Sequence, residues 1–350
     1  MASVPVGSEA PRIDPIPAGA RRPLWSVMIP AYNCAGYLKT TLASVLRQDP
    51  GADEMQIEVV DDCSTRDDPE AVVREVGGGR VLFHRKARNE GVAANFNTCI
   101  ERAKGHLVHI LHGDDWVADG FYSEVAASAA AHGDCEMFSV RAFIANEAGE
   151  IERLSSRQPA FEGGSREAKA YYYGNPLFTP SIVIRRRFYE ARGGFLPHLS
   201  HCADWEMWIR ATANGGHLAL NLPLASYRFF SGNHSSRLVQ TGENLVDYLR
   251  LGAILARERT DFSTKDFRLT VSQIAENQGK DLEREGLAPA AEAAYRLRFA
   301  LLKRAEIGRL AFGAFWHRDF RHLCRIVRFA RRSRRWRRTV PEFAPWIASQ

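Results

Sequence analysis

Between residues 25 and 111, short apolar runs alternate with stretches in which apolar residues recur every three or four positions. The apolar runs at 25–29, 57–60, 80–83 and 106–111 predict four strands, the first of them buried. Helical spacing between them is carried by Leu38, Leu42, Val45 and Leu46, and again by Val92, Phe96, Cys99 and Ile100. This order of elements predicts an α/β fold with a mostly parallel sheet covered by helices.

The rest of the chain changes character twice. Residues 135–240 have a mixed pattern with candidate strands at 137–140 and 181–184, and the chain is predicted to be helical from 243 onward, with a turn at 286–289. We therefore expect a flexible tail at 1–23, a catalytic body at 24–240 with halves at 24–120 and 121–240, a helical extension at 241–313 and a basic segment at 314–350.

Composition adds limits on location and charge. The six cysteines are scattered without CxxC spacing, which indicates reduced thiols in a cytoplasmic protein, and no apolar run is long enough to span a membrane. The net charge is +6, but residues 314–338 contain ten arginines and one acid. The basic character therefore belongs to the C-terminal segment and not to the catalytic body.

Polar clusters follow three of the predicted strands. They are residues 30–33 (Pro-Ala-Tyr-Asn), 61–64 (Asp-Asp-Cys-Ser) and 112–115 (His-Gly-Asp-Asp). Ligands of open α/β sheets bind beyond the carboxyl ends of the strands, so we expect the three clusters to converge at one edge.

Asp114 and Asp115 are the sharpest chemical signal. Adjacent carboxylates repel each other unless a cation lies nearby, and Mg²⁺ or Mn²⁺ prefers carboxylate oxygens and often bridges substrate phosphates. The alternative is a solvated turn or a cap for a helix that starts near Trp116.

The residues after the first and second predicted strands each have two possible roles. Asp61 and Asp62 could accept hydrogen bonds from a base or ribose, or cap a helix that begins near Pro69. Tyr32 could stack on a nucleobase, or pack beneath a loop.

A helix start near residue 91 suits phosphate oxygens. Asn89, Gly91 and Asn95 stand there, and Arg88 could help to neutralise a diphosphate. The alternative is ordinary helix capping by Asn89.

Two further side chains are candidates for chemistry. Asp204 is predicted in the first turn of a helix, where it could act as a general base or simply stabilise the helix N-terminus. His234 could complete a metal shell, or be a solvated loop histidine.

Taken together, the motifs resemble the family 2 glycosyltransferases, which have the GT-A fold. The matches run in order through residues 27–33 (PxYN turn), 58–65 (VDDxST), 89–95 (NxGxxxAxN), 111–115 (DxD region), 179–181 with 193–195 (acceptor side) and 203–206 (ED motif). Two departures are His112, where DxD usually begins with an acid, and Ala203, where an acid usually precedes the catalytic aspartate.

The resemblance implies an inverting transfer from a nucleotide-sugar, with UDP-sugars as the default donor, to the hydroxyl of an acceptor that could be a glycan, a lipid-linked sugar or a small molecule. The implied donor-binding residues are Pro30, Ala31, Tyr32, Asn33, Asp61, Asp62, Arg88, Asn89, Gly91, Asn95 and Asp114. Asp114, Asp115 and His234 would hold Mn²⁺ or Mg²⁺, and Asp204 would be the base. The rival functions are a nucleotidyltransferase and a non-catalytic nucleotide-sugar-binding protein on the same fold.

The basic segment has its own alternatives. Arg318, Arg321, Arg325, Arg328, Arg332 and Arg335 recur at helical spacing, with Leu323, Ile326, Val327 and Ala330 opposite. Such a helix could lie on an anionic membrane surface at the inner face of the membrane, or pack its apolar side on the protein. Nucleic acid ranks below both, because the segment has few aromatics and no RNA-binding motif.

Overall fold

The computed structural model describes residues 10–158, 165–302, 304–317, 322 and 324–329. The chain divides between Phe230 and Ser231 into two compact units, ten residues before the boundary predicted from the sequence. The N-terminal unit contains the sheet and the motifs up to residue 206, and the C-terminal unit is helical.

The first half of the sheet has the predicted alternating order. Its elements are β1 (Trp25–Ala31), α1 (Ala35–Leu46), β2 (Met55–Asp61), α2 (Pro69–Gly77), β3 (Leu82–Arg85), α3 (Val92–Arg102) and β4 (Leu107–Ile110). The four strands are parallel in the spatial order β3-β2-β1-β4, and every residue of β1, β2 and β4 is buried. Burial on both faces explains why these strands are mostly apolar in the sequence and do not alternate with polar residues as half-exposed strands do.

The second half continues the same sheet with mixed pairing. It contains β5 (Trp116–Val117), α4 (Phe121–Ala131), β6 (Met137–Ala145), β7 (Ile151–Leu154), β8 (Ile182–Arg185), α5 (Arg186–Arg192), α6 (Ala203–Gly215) and β9 (His217–Arg228). β8 pairs antiparallel with β4, β6 pairs antiparallel with β8, and β9 pairs parallel with β6. β5 lies at the end of the strand order, antiparallel to β9, and β7 pairs with β6 outside this order.

The sequence did not predict β9, which is the longest strand. Its pattern is interrupted by Pro223, and Asn221 has a φ of 58°, a conformation foreign to a regular strand. The pairing with β6 shifts register around Arg141, which absorbs the irregularity.

Residues 10–23 correct the prediction of a loose tail. Ile13 is buried, the carbonyl of Pro11 accepts a hydrogen bond from the amide of Gly194 at 2.8 Å, and Arg22 donates to the carbonyl of Gly105 at 2.8 Å. An extended segment without periodic apolar positions carries no strand or helix signal, and here the buried Ile13 and backbone hydrogen bonds hold it against the unit.

The C-terminal unit consists of helices, as predicted. They are α7 (His234–Thr241), α8 (Glu243–Glu258), α9 (Thr264–Arg284), α10 (Ala288–Leu301) and α11 (Arg304–Trp316). The predicted turn separates α9 from α10 and contains Gly286 with a φ of 78°. α9 approaches α10 closely at Gly279, because a β-carbon there would lie 2.6 Å from the ring of Tyr295.

Only part of the basic segment is described. Residues 322 and 324–329 are helical, and Ile326 and Phe329 are buried in an apolar cluster with residues of α9 and α10. Arg325 pairs with Glu283 at 2.8 Å, and Arg328 pairs with Glu292 at 3.3 Å. In this part Ile326 of the predicted apolar side packs on the protein, Val327 is 45% exposed, and two arginines of the predicted stripe meet acids of the same unit.

Arg318, Arg321, Leu323, Ala330, Arg332 and Arg335 lie outside the described residues. Among the helices that are described, none has the length and apolarity needed to cross a bilayer.

Candidate active site

The turn after β1 presents Tyr32 and uses Asn33 internally. Asn33 has a φ of 52°, and its side-chain oxygen accepts hydrogen bonds from the amides of Thr65 and Arg66, both at 2.9 Å. Tyr32 is 39% exposed, so the alternative in which it packs beneath a loop is wrong. Pro30 and Ala31 are buried, and their carbonyls accept hydrogen bonds from the neighbouring turns, at Gly113 and Asp62 respectively.

The paired acids after β2 are structural in this conformation. Asp61 is fully buried, accepts a hydrogen bond from the amide of Ser64 at 3.1 Å and pairs with Arg85 at 3.3 Å. Asp62 is also buried. The capping alternative is wrong for both, because Asp68 caps α2 by accepting from the amide of Ala71 at 3.1 Å.

Asp62 reaches across to the start of α3. Its carboxylate accepts hydrogen bonds from the amides of Glu90 and Gly91 at 3.0 and 2.9 Å, and Lys86 lies 3.1 Å away. The two amide groups that precede α3 therefore face a carboxylate of the protein, in the place where the sequence suggested a phosphate.

The remaining residues of the α3 segment separate into two groups. Arg88 and Asn89 are exposed, and Arg88 pairs with Glu90 at 3.2 Å. Asn95 is buried, and its side chain donates to the carbonyl of Val60 at 3.1 Å, tying α3 to β2. Gly91 is the N-cap residue of α3 and no side chain caps this helix, so the alternative of capping by Asn89 is wrong.

A compact cluster follows β4. Ligand atoms of His112, Asp114 and Asp115 all lie within 4.8 Å of one another, an arrangement that could hold a metal ion. Asp114 is half-buried and Asp115 fully buried. The helix-capping alternative is wrong here too, since Trp116 begins β5 and α4 starts only at Phe121.

Nε2 of His112 is buried without a hydrogen-bond partner, whereas Oδ2 of Asp115 lies 3.2 Å from Nδ1 of the same ring. Buried polar atoms normally have partners, so their absence here points to a ligand. A divalent cation fits this donor set, because carboxylate and imidazole groups are both common metal ligands.

Burial and mutual repulsion set the charge of the cluster. Burial together with the neighbouring Asp115 raises the pKa of Asp114 to about 7. Burial opposes the charged form of His112, but contact with Asp115 and the fields of Asp114 and Asp204 raise the pKa of this imidazole overall. A bound cation would favour the ionised carboxylates and the neutral imidazole.

Arg228, at the end of β9, holds the cluster in place and was not singled out from the sequence. Its backbone amide donates to Oδ1 of Asp115 at 2.8 Å, and its guanidinium donates to the carbonyls of Asp114 and Glu147 at 3.0 and 2.6 Å. The guanidinium lies over the rings of Tyr37 and Trp116, 4.7 and 4.9 Å from their centres. Nothing in the sequence distinguishes this arginine from a surface charge.

The backbone of the cluster is fixed from the other side by α1. The Thr41 hydroxyl donates to the carbonyls of Gly113 and Asp115 at 3.1 and 2.7 Å. Gly113 lies close to α1, because a β-carbon there would lie 2.6 Å from the sulfur of Cys34, which would have to move.

Asp204 lies in the first turn of α6, as predicted. Its carboxylate accepts hydrogen bonds from the amide of Trp205 at 2.6 Å and from the side chain of Asn175 at 3.4 Å. Burial raises the pKa of Asp204 to about 6. Because Asp204 and His112 influence each other's charge, the carboxylate shares one electrostatic environment with the cluster after β4.

Glu206, two residues further on, has a different task. It is buried and pairs with Arg210 at 2.9 Å, and Arg210 in turn donates to the carbonyls of Arg192, Gly193 and Gly194. Glu206 thus holds the glycine loop at 193–195 through Arg210, which binds the carbonyls of that loop.

His234 belongs to the C-terminal unit. His234 is the first residue of α7 and therefore not a loop histidine. The side chain of Asn233 caps this helix by accepting a hydrogen bond from the amide of Ser236 at 2.8 Å. The role of His234 as a metal ligand stays a prediction.

Residues 26–193 match the profile of the family described as "Glycosyl transferase family 2". This segment contains the turn after β1, the paired acids after β2 and the cluster after β4. Residues 26–193 form a glycosyltransferase family 2 domain. The family, and with it the enzyme class that the motifs predicted, are confirmed.

Relatives among known proteins agree with this assignment. An uncharacterised protein of Mycobacterium tuberculosis (strain CDC 1551 / Oshkosh) is 26% identical over 244 residues, which are 66% of this chain and 75% of the relative. Chondroitin synthase of Pasteurella multocida (strain Pm70) is 31% identical over 225 residues, 62% of this chain and 22% of the synthase. The chain thus spans about a fifth of the length of that synthase.

The fold agrees with a solved member of the same group. The poly(ribitol-phosphate) beta-N-acetylglucosaminyltransferase TarS of Staphylococcus aureus (strain Mu50 / ATCC 700699) is 28% identical over 234 residues, 66% of this chain and 40% of TarS. The crystal structure of S. aureus TarS 1–349 in complex with UDP-GlcNAc superposes with a TM-score of 0.59 and 16% identity, covering 88% of this chain and 91% of that one. The predicted GT-A fold is confirmed.

Proposed function

We propose that this family 2 glycosyltransferase moves a sugar, with inversion, from a UDP-sugar to the hydroxyl group of a cell-envelope glycan or polyol polymer. The observation that carries the proposal is the cluster of His112, Asp114 and Asp115, whose ligand atoms lie within 4.8 Å of one another, together with the carboxylate of Asp204 in the first turn of α6. A transferase needs a base near the acceptor hydroxyl and a cation near the leaving diphosphate, and these two groups supply both functions.

The donor side is supported by Tyr32 and the metal cluster. Tyr32 is exposed at the same strand edge as the cluster after β4, where its ring is available to stack on a base. The structure of TarS with UDP-GlcNAc supports a uridine nucleotide. The names of TarS and of chondroitin synthase support a polymeric acceptor.

The proposed cation, Mn²⁺ or Mg²⁺, would be held by Asp114 with contributions from the rest of the cluster. When bound, it would neutralise the diphosphate leaving group. Asp61 and Asp62 act in this proposal through the turns that they hold, which present Tyr32 and the start of α3.

Asp204 removes the proton of the acceptor hydroxyl as the oxygen attacks the anomeric carbon. With a pKa near 6, the carboxylate is ionised at neutral pH and still close enough to that pH to be an effective base. The bond to the diphosphate breaks as the new glycosidic bond forms, and the transition state is oxocarbenium-like.

A thermal-shift screen of nucleotide-sugars with and without Mn²⁺ tests the donor site. A ligand that binds the native protein raises its melting temperature through mass action. We expect one UDP-sugar to stabilise the wild type in the presence of Mn²⁺, and Asp114→Asn to lose this shift.

Asp119→Asn is the matched control. Asp119 lies shortly after the cluster and is exposed, pairing only at the surface with Arg47 at 3.3 Å, so its removal should leave the shift unchanged. If no nucleotide-sugar stabilises the wild type, the proposed donor site is wrong. If a donor binds but no acceptor is ever glycosylated, the binding-protein alternative replaces the transferase.

A further inference from the structure

The departure from the family pattern at residue 112 has a chemical role of its own. His112 stands where an acid usually begins the DxD region, and the structure places its ring inside the cluster with Asp114 and Asp115. The ring stacks on Phe96, with centres 5.4 Å apart and planes 15° apart, which limits its rotation.

The two ring nitrogens of His112 have different surroundings. Nδ1 lies 3.2 Å from Oδ2 of Asp115, whereas Nε2 is buried and has no hydrogen-bond partner. Metal-binding histidines commonly have one nitrogen next to a carboxylate, which fixes the tautomer and orients the other nitrogen toward the ion.

Asp115 has the features of such an orienting carboxylate. It is fully buried, and its other oxygen, Oδ1, accepts the backbone amide of Arg228 at 2.8 Å. Asp114 is the less buried of the two acids.

We propose that His112 is a direct ligand of the divalent cation, through Nε2, together with the carboxylate of Asp114, and that Asp115 positions His112. This proposal rests on the proposed function, because it concerns the metal of the same site. It also sets the preference among metals. Imidazole favours first-row transition ions, and Mg²⁺ favours oxygen ligands, so the site should prefer Mn²⁺ or Co²⁺ to Mg²⁺.

Spin-echo modulation spectroscopy of bound Mn²⁺ tests the ligand directly, because it detects a coordinated imidazole ¹⁴N without requiring turnover. His234, the other predicted imidazole ligand, is first replaced in His234→Asn so that its signal cannot be mistaken for that of His112. In this background, with UDP present, we expect ¹⁴N modulation, and we expect His112→Asp to remove it while Mn²⁺ still binds.

Metal competition gives the second readout. Mn²⁺ binding is followed by the loss of the free-ion paramagnetic resonance signal, and Mg²⁺ is then titrated against it. We expect His112→Asp to let Mg²⁺ compete at about tenfold lower concentration, in line with the change from a nitrogen to an oxygen ligand. Asp115→Asn should weaken Mn²⁺ binding by about 10- to 100-fold, as removal of an orienting partner does.

His106→Gln is the matched control, since His106 is exposed and precedes β4, at the opposite end of the strand from the cluster. It should change neither the modulation nor the competition. If Mn²⁺ binds and Asp114→Asn abolishes that binding, but His234→Asn shows no ¹⁴N modulation, His112 is not a ligand and the inference is wrong although the metal-dependent function stands. If Mn²⁺ does not bind at all, both proposals fail.

Discussion

The pair formed by Glu206 and Arg210 allows a quantitative test of which acid in the Asp-Trp-Glu motif is structural. The side chains of Glu206 and Arg210 are 5% and 11% exposed, so water screens their interaction little. The variant Arg210→Met keeps the apolar stem of the arginine and removes its charge. It leaves Glu206 as an uncompensated buried carboxylate.

The expected loss follows from burial. Removing one partner of a buried ion pair costs about 3–5 kcal/mol. The carbonyls of Arg192, Gly193 and Gly194 also lose their donor, which places the variant toward the upper end of that range. For a unit of this size, a loss of 1 kcal/mol lowers the melting temperature by about 2–4 °C, so the total should be about 6–20 °C.

Urea unfolding followed by tryptophan fluorescence is a suitable assay, because Trp205 and Trp208 lie on the same helix as the pair. Arg192→Met is the matched control. The side chain of Arg192 is exposed, and its removal should cost less than about 0.5 kcal/mol.

The double variant Glu206→Gln/Arg210→Met separates the buried charge from the lost hydrogen bonds. It removes both charges and should be more stable than Arg210→Met alone. The reasoning is refuted if Arg210→Met stays within about 1 kcal/mol of the wild type, or if the two single losses simply add in the double variant.

Three further outcomes are expected. Asp204→Asn should lower kcat by about 10²- to 10⁴-fold and leave the donor-induced thermal shift intact. In the wild type, kcat/KM should be level above pH 6 and fall tenfold per pH unit below it, because protonation of Asp204 removes the base. A fall of kcat/KM only at high pH would contradict this role. Arg228→Met should weaken Mn²⁺ binding by about 10- to 100-fold in a paramagnetic resonance titration, while Arg153→Met, an exposed position on β7, should not. Replacing the arginines at 331, 332, 334, 335, 337 and 338 with glutamine should reduce flotation with anionic vesicles, and equal flotation of both proteins would exclude the membrane alternative.

Local signals predicted the parallel half of the sheet. β1, β2 and β4 are buried on both faces, so most of their residues are apolar, and buried polar residues such as Gln56 and Glu58 hydrogen-bond to each other. The positions of Tyr32, Asp62 and Asp114 at the carboxyl ends of these strands follow from the same pattern, because parallel strands end at one edge. The first turn of α6 was likewise predictable, since Trp205, Trp208 and Ile209 recur at helical spacing.

Contacts between residues far apart in the sequence could not be predicted from local patterns. Arg228 is separated from Asp115 by more than a hundred residues and lies at the end of a strand that Pro223 conceals, so no local pattern could connect the two. The sequence also predicted Asp61 and Asp62 as ligands of a nucleotide, which stays a prediction, but it did not predict that they pair with Arg85 and Lys86 in the fold.

The sequence by itself determined which residue types stand at the edge of the sheet, because burial and strand direction fix that from local periodicity. Only the tertiary structure decided which of those side chains are left for a ligand. Whether a polar side chain can bind a ligand depends on the donors that distant segments bring to it. Asp62 accepts the amide of Gly91 and Asp115 accepts the amide of Arg228, whereas Nε2 of His112 has no hydrogen-bond partner.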